Sequence, residues 1–180
     1  MFKTTHTGSL PRPEQLLALV FAREGGEQVG EAEMDVAVEE ATAYVLARQA
    51  EAGITILGDG EMSKPSYATY IKHRLTGFDG EAGSYEFQDL EEFPGAKAKV
   101  FGDAGRARRS APACTSEITV KDMEAPRIDA ERLNRLAGSH ETFMSAASPG
   151  VTALFFPNRF YKDDEEYVFA IAEALRHEYG

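Results

Sequence analysis

The stretch from Glu31 to Gly58 restricts the fold of this chain more than any other. Met34, Ala37, Val38, Ala41, Tyr44 and Val45 recur at three- and four-residue spacing, the mark of an amphipathic helix running to about Ala52. Glu33, Glu39, Glu40, Arg48 and Glu51 supply its wet side. Gly53 ends it and is followed at once by Ile54-Thr55-Ile56-Leu57-Gly58-Asp59, apolar and β-branched without clean alternation. Such a run suits a strand buried on both faces, as in a parallel sheet. Helix, tight turn and buried strand make half of a βαβ unit, so the chain is expected to build a layered α/β structure.

The rest of the chain extends the same alternation. Phe2 to Thr7 is expected to be a short strand, and Gly8-Ser9-Leu10-Pro11-Arg12-Pro13 a turn into a helix that carries Leu16, Leu17, Val20 and Phe21 on one face. Gly25-Gly26 closes that helix. A third helix is expected from about Pro65 to Leu75. Residues 77–112 change character: glycines, acidic residues and prolines surround short candidate strands at 85–87 and 99–101, an excursion with a possible β-hairpin. A third core strand is expected at Glu117-Ile118-Thr119-Val120, a helix capped by Asp129 and ending at Gly138, a fourth strand at 142–145, and a last helix opened by Asp163 to Glu166. Four strands alternate with helices. A complete (β/α)₈ barrel needs about 200 residues or more, and this chain has 180. The expected architecture is therefore parallel α/β, in a chain too short to be a complete barrel.

Composition removes several functions. The chain carries 30 acidic against 19 basic residues, a net charge of −11, which argues against a nucleic-acid or anionic-membrane surface, since either needs a clustered basic face. No apolar run approaches the roughly 20 residues of a membrane span, and no secretory signal opens the sequence. A single cysteine fits a reducing cytoplasm. The four histidines, His6, His73, His140 and His177, lie far apart, and no His-x-Cys or Cys-x-x-Cys pair supplies a zinc site. Walker, Gly-x-Gly-x-x-Gly and Gly-x-Ser-x-Gly motifs are missing too.

In parallel α/β folds ligands bind at the carboxyl ends of the strands. Three such ends carry chemistry here: His6, Gly8 and Ser9; Asp59, Gly60 and Glu61; and Ser145 to Gly150. Glu61, beside a glycine just beyond a buried strand, can hold a ligand ammonium or act as a base; otherwise it pairs with Lys64 or Arg12. Gly8 and Ser9 can donate to a substrate carboxylate, or serve the turn before Pro13. His6 reads first as a core or rim histidine, and Cys114 as a small buried hydrophobe. Arg106, Arg108 and Arg109 form the one basic cluster, either a solvated loop or a grip on an anionic ligand tail.

These segments resemble a known family. Thr4 to Pro13, Gln49-Ala50-Glu51-Ala52-Gly53, Gly58-Asp59-Gly60-Glu61-Met62, Ser148-Pro149-Gly150, and Asn158 to Tyr161 before the helix that ends His177-Glu178-Tyr179 are similar, in order and spacing, to the catalytic domain of cobalamin-independent methionine synthase in its stand-alone form. The resemblance implies a (β/α)₈ barrel that moves a methyl group from a methylfolate to the thiol of homocysteine on zinc, in methionine biosynthesis in the cytoplasm. It implies that Gly8 and Ser9 contact the amino acid's carboxylate and Glu61 its ammonium. Cys114 falls near the folate-contacting segment and Phe156 near an aromatic position beside the pterin, whereas Ala113 stands where these enzymes place an arginine. The family's zinc ligands lie in its second half, so the resemblance implies an α/β chain of the TIM-barrel type with only about the first four β/α units, residues 1–180 forming one partial barrel domain that matches the substrate-side half and carries no metal ligands. Two other readings stand beside this one. One is a zinc-thiolate alkyltransferase of the epoxide:thiol type. The other is a non-catalytic truncated or split half-barrel that binds a small amino acid, a complementary C-terminal half, or another copy of itself.

Overall fold

In the computed structural model, which describes residues 2–66, 70–80, 90–101 and 112–179, the helix–turn–strand unit forms as expected. Helix α1 (Glu14–Glu24) follows the Pro11–Pro13 turn and helix α2 is Glu31–Glu51. Strand β1 (Ile56–Gly58) comes next, then the single turn α3 (Ile71–Arg74) and β2 (Phe78–Asp79). Helix α4 (Pro94–Phe101), strand β3 (Ala113–Cys114), helix α5 (Glu124–Ala137), strand β4 (Glu141–Phe143), and helices α6 (Pro149–Phe155) and α7 (Asp164–Tyr179) complete the chain.

The sheet that positions the site is parallel. Strand β1 pairs with β4 in the register Ile56 with Glu141, Leu57 with Thr142 and Gly58 with Phe143. On its other edge β1 meets the N-terminal segment at one parallel bridge, Thr5 with Ile56. The first strand expected over residues 2–7 is thus reduced to that bridge. The Thr4 carbonyl still accepts the Ile56 N–H at 3.0 Å, so the segment runs alongside β1. Gly58 sits where three chains converge: a side chain there would begin 3.2 Å from the Phe143 carbonyl oxygen and 3.5 Å from that of His6.

Apolar burial explains the layers. Leu16 and Val20 of α1 pack on Met34, Ala37, Val38, Ala41 and Val45 of α2, with Met62 closing that cluster. Leu57 of β1 lies with Leu46 of α2 and with Leu133 and Ala137 of α5. A third cluster joins Ile71, Leu75, Cys114, Ile118 and Phe156 to Tyr167, Ile171 and Leu175 of α7. Tyr44 and Phe21, expected on core faces, are exposed instead. No helix among the described residues is long and apolar enough to cross a membrane.

Other elements depart from expectation too, and of the helix expected from about Pro65 to Leu75 the described residues show only the single turn α3. Residues 117–120 make no strand; Val120 alone bridges to Leu75, while the Ile118 N–H donates to the Tyr161 hydroxyl at 2.8 Å and the Thr119 N–H to Thr76 Oγ1 at 3.0 Å. With side chains taking its donors, the segment has no ladder to join. The candidate strand at 99–101 is the last turn of α4, which starts at Pro94, a residue suited to a first helical turn. Asp129 is no cap: α5 begins five residues earlier, where Asp122 Oδ1 accepts the Glu124 N–H at 2.8 Å. The candidate strand at 85–87 and the arginines at 106, 108 and 109 lie outside the described residues.

Gly77 carries the tightest turn among these elements. Its φ is +95°, and a Cβ there would lie 2.9 Å from the Ser116 carbonyl oxygen and 3.0 Å from that of Glu117. Both contacts are backbone and cannot swing away. Gly77→Ala should therefore lower stability by more than about 1 kcal/mol, seen as a lower urea midpoint at unchanged slope. An unshifted midpoint would mean the turn can open at no cost.

Candidate functional site

The carboxyl end of β1 leads into a turn with two successive residues in left-handed backbone, Gly60 at φ +61° and Glu61 at +59°. Glycine adopts this freely; a glutamate there costs on the order of 1 kcal/mol. Local bonds hold the turn. Asp59 Oδ1 accepts the Glu61 N–H at 3.0 Å, and the Leu10 N–H donates to the Gly60 carbonyl at 3.0 Å. Gly60 also admits Leu10 closely, since a Cβ there would meet Leu10 Cβ at 3.0 Å. The Arg12 guanidinium donates to the Glu61 carbonyl at 2.7 Å and to the Lys64 carbonyl. Beneath the strand, Gln49 of α2 donates to the Gly58 carbonyl at 2.7 Å and accepts its N–H at 3.0 Å, fixing the last residue of β1.

The turn presents the Glu61 carboxylate to the end of β4. Glu61 is only 2% exposed. Ser9 donates its hydroxyl to Oε2, and Ser145, two residues beyond β4, donates to Oε1 at 2.9 Å. Two chain segments far apart in sequence thus meet on one carboxylate. A carboxylate has about four lone-pair positions, so the two serines leave acceptor capacity for a cation. Lys64, also 2% exposed, does not pair directly with that carboxylate but donates to the Ser145 carbonyl at 2.7 Å. Burial pushes the Asp59 carboxyl above its ordinary value, opposed by the nearby Lys64 charge and reinforced by the Asp129 and Glu61 carboxylates.

A cleft of about 560 Å³ has Tyr70, Arg74, Asp129 and Arg132 among its lining residues, but the charges of Arg74, Asp129 and Arg132 are already paired. Arg132 donates to Asp129 Oδ1 at 2.9 Å and Ser63 to Oδ2 at 2.7 Å, while Arg74 reaches both Asp129 and Glu178. That is an internal ion network rather than a receptive surface. Among the described residues, no three His, Cys, Asp or Glu side chains are grouped as a metal ion would require.

Comparison with known proteins bears on this geometry. No protein-family model matches the chain. A curated methionine synthase of Pyrococcus furiosus is 27% identical over 177 residues, covering 97% of this chain and 46% of that protein. The structure of a B12-independent methionine synthase from Shewanella sp. W3-18-1, in complex with selenomethionine, superposes with a TM-score of 0.70 at 19% identity, covering 98% of this chain and 46% of that one. A protein described as a vitamin-B12-independent methionine synthase from Listeria monocytogenes gives 0.66 at 17% identity, over 99% of this chain and 48% of that one. The chain is similar to methionine synthases.

It shares the α/β fold of these methionine synthases, which are TIM barrels, and spans about half the length of the curated relative. Of the candidate site residues read from the sequence, Ser9, Asp59 and Glu61 come together at one turn. Gly8 is adjacent, in left-handed backbone at φ +99° with open space where a Cβ would lie, and His6 Nε2 is 3.1 Å from the Gly8 carbonyl oxygen. Cys114 and Phe156 belong elsewhere. Both are fully buried in the cluster packed on α7, Phe156 against Phe78 with ring centroids 4.7 Å apart. Burial pushes the Cys114 thiol up, and its Sγ lies 3.4 Å from the Ser116 carbonyl oxygen. Two contributors escaped the sequence reading as individuals, Gln49 and Ser145, and Lys64 was read only as an ion-pair partner of Glu61. Gln49 carried a signal, as the one amide at a core-facing position of α2, four residues after Val45.

Proposed function

We propose that this chain forms the amino-acid-holding half of a thiol methyltransferase of the methionine synthase type, with homocysteine as acceptor and a methylfolate as the methyl donor expected from the family. One observation supports it above the others: a buried glutamate, in backbone better suited to glycine, with both carboxylate oxygens pre-aligned by hydroxyls from two separate chain segments. Strain retained at a strand end is what a functional side chain, rather than a structural one, accounts for. The carboxylate suits an α-ammonium. The open backbone at Gly8, next to the Ser9 whose hydroxyl reaches that carboxylate, suits the α-carboxylate of the same zwitterion.

Chemistry at the thiol is a separate matter. The described residues group no ligands for zinc, and Cys114 is sealed in an apolar cluster, so none of the sulfur activation is assigned to them. In this reading those groups come from a complementary half of the barrel, on the same or a second polypeptide, and the assembled enzyme is cytoplasmic. The solved methionine synthases, about twice as long as this chain and of the same fold over the part it covers, support such a division.

Isothermal titration of the full chain with L-methionine and L-homocysteine tests the reading. Saturable one-to-one binding is expected for both, with the deaminated analogue 4-(methylthio)butanoate at least about tenfold weaker for want of the ammonium. Equal binding of the deaminated compound, or no binding of either amino acid, would overturn it.

A further inference from the structure

Lysine is rarely buried without a partner that needs its charge. Lys64 is 2% exposed, three residues beyond Glu61, and its ammonium is spent on a backbone carbonyl, that of Ser145 at 2.7 Å. A neutral donor could satisfy a carbonyl. What a cation adds is compensation for the two buried carboxylates of the same turn, Asp59 and Glu61, the first of which feels the Lys64 charge directly. The carbonyl it grips belongs to the residue whose hydroxyl reaches Glu61 Oε1.

Residues 145–147 need such a grip. Strand β4 ends at Phe143, so these residues lie beyond the last ladder bond. Side chains hold them instead. Lys64 takes the Ser145 carbonyl, and the Ala147 N–H donates to the Tyr70 hydroxyl at 3.3 Å. The Lys64 ammonium in turn lies 5.3 Å from the centroid of the Tyr70 ring, within cation–π range. One lysine therefore touches both the segment that carries the serine and the aromatic residue that anchors the segment's other end.

We infer that Lys64 is a positioning residue of this site, holding Ser145 so that its hydroxyl stays on the Glu61 carboxylate and the carboxylate keeps the orientation that receives a ligand ammonium. The inference rests on the reading of Glu61 as an ammonium site, but its effect on Ser145 and Glu61 can be measured without ligand.

The test uses the full chain with ¹³C-labelled glutamate, in the wild type and in Lys64→Met, Lys64→Arg and Ser145→Ala. In the absence of ligand, the Glu61 side-chain carboxyl resonance should move in the same direction in Lys64→Met and Ser145→Ala, and return toward the wild-type position in Lys64→Arg. L-Methionine affinity should fall about tenfold in Lys64→Met, the size of one lost charge-assisted hydrogen bond, with partial recovery in Lys64→Arg. If Lys64→Met fails to fold, Lys64→Leu replaces it, likewise without a donor for the Ser145 carbonyl. A Glu61 resonance that shifts in Ser145→Ala but stays put when Lys64 is neutralised would overturn the inference, whatever the ligand does. Should the wild type bind no amino acid while the resonances shift as expected, the function proposed above fails and the positioning role stands.

Discussion

Glu61→Gln should reduce affinity for L-methionine by about 30-fold or more. Removing one partner of a buried, hydrogen-bonded charge pair costs about 2 kcal/mol or more, most of it from leaving the other charge unpaired. Glutamine keeps the shape of the side chain and can still engage Ser9 and Ser145, because a hydroxyl donates or accepts as required. Fold and melting temperature should therefore stay close to wild type while binding is lost, and that separation makes the variant informative. Isothermal titration reads the affinity and circular dichroism the melting temperature. Binding undiminished in Glu61→Gln would place the ammonium somewhere other than this carboxylate.

The site was legible in the sequence to the extent that its groups are close in the chain. Asp59, Gly60 and Glu61 follow a strand whose composition announces burial, and a glycine next to an acid at such an end is a local signal. Ser145 and Lys64 are different. Ser145 matters because β4 pairs with β1 in a register that brings the end of one to the end of the other, and no local pattern encodes that register. Lys64 three residues after Glu61 looks like an ordinary ion-pair partner. Its actual acceptor, 81 residues away, exists only once the sheet has formed.

The fold shows the same division. Helix α2 was readable because a six-turn periodicity outweighs any local accident, although Tyr44 obeyed the spacing and still faces solvent. Residues 117–120 have strand composition, yet the Tyr161 hydroxyl and the Thr76 side chain claim their amide protons. Strand propensity describes a residue that fits a pleated surface, and it cannot say whether a neighbouring strand is there. Asp129 misled for a related reason. As an acid ahead of an apolar run it has the look of a cap, but the helix was already under way from Glu124, which left Asp129 on a buried face where only arginines could balance it.

That balance leads to the largest stability effect expected in the molecule. Arg74, on α3 with 6% of its side chain exposed, donates to Glu178 Oε1 of α7 at 2.8 Å and approaches Asp129 Oδ2 of α5 at 3.4 Å. It stacks over the Tyr70 ring at 4.2 Å, and its backbone carbonyl accepts the Lys121 and Asp122 N–H groups. Glu178 already keeps Oε2 buried with no hydrogen-bond partner among the described residues. Arg74→Met would remove its cation and leave Asp129 with Arg132 as its one paired arginine, beside the Ser63 hydroxyl. Breaking a buried pair from one side costs about 3–5 kcal/mol, a large part of the roughly 5–15 kcal/mol that holds a domain folded. The urea midpoint of Arg74→Met should fall steeply. Because the penalty lies in stranded charge and not in lost volume, Arg74→Met combined with Asp129→Asn and Glu178→Gln should recover much of it. A midpoint within about 1 kcal/mol of wild type for the single variant would show that water reaches this network and screens it. The same charges reach the site. Ser63, two residues beyond Glu61, donates to Asp129, and the Tyr70 hydroxyl bridges Glu178 to the Ala147 N–H. Through Arg74, helices α3, α5 and α7 are tied to both strand ends that meet on the Glu61 carboxylate.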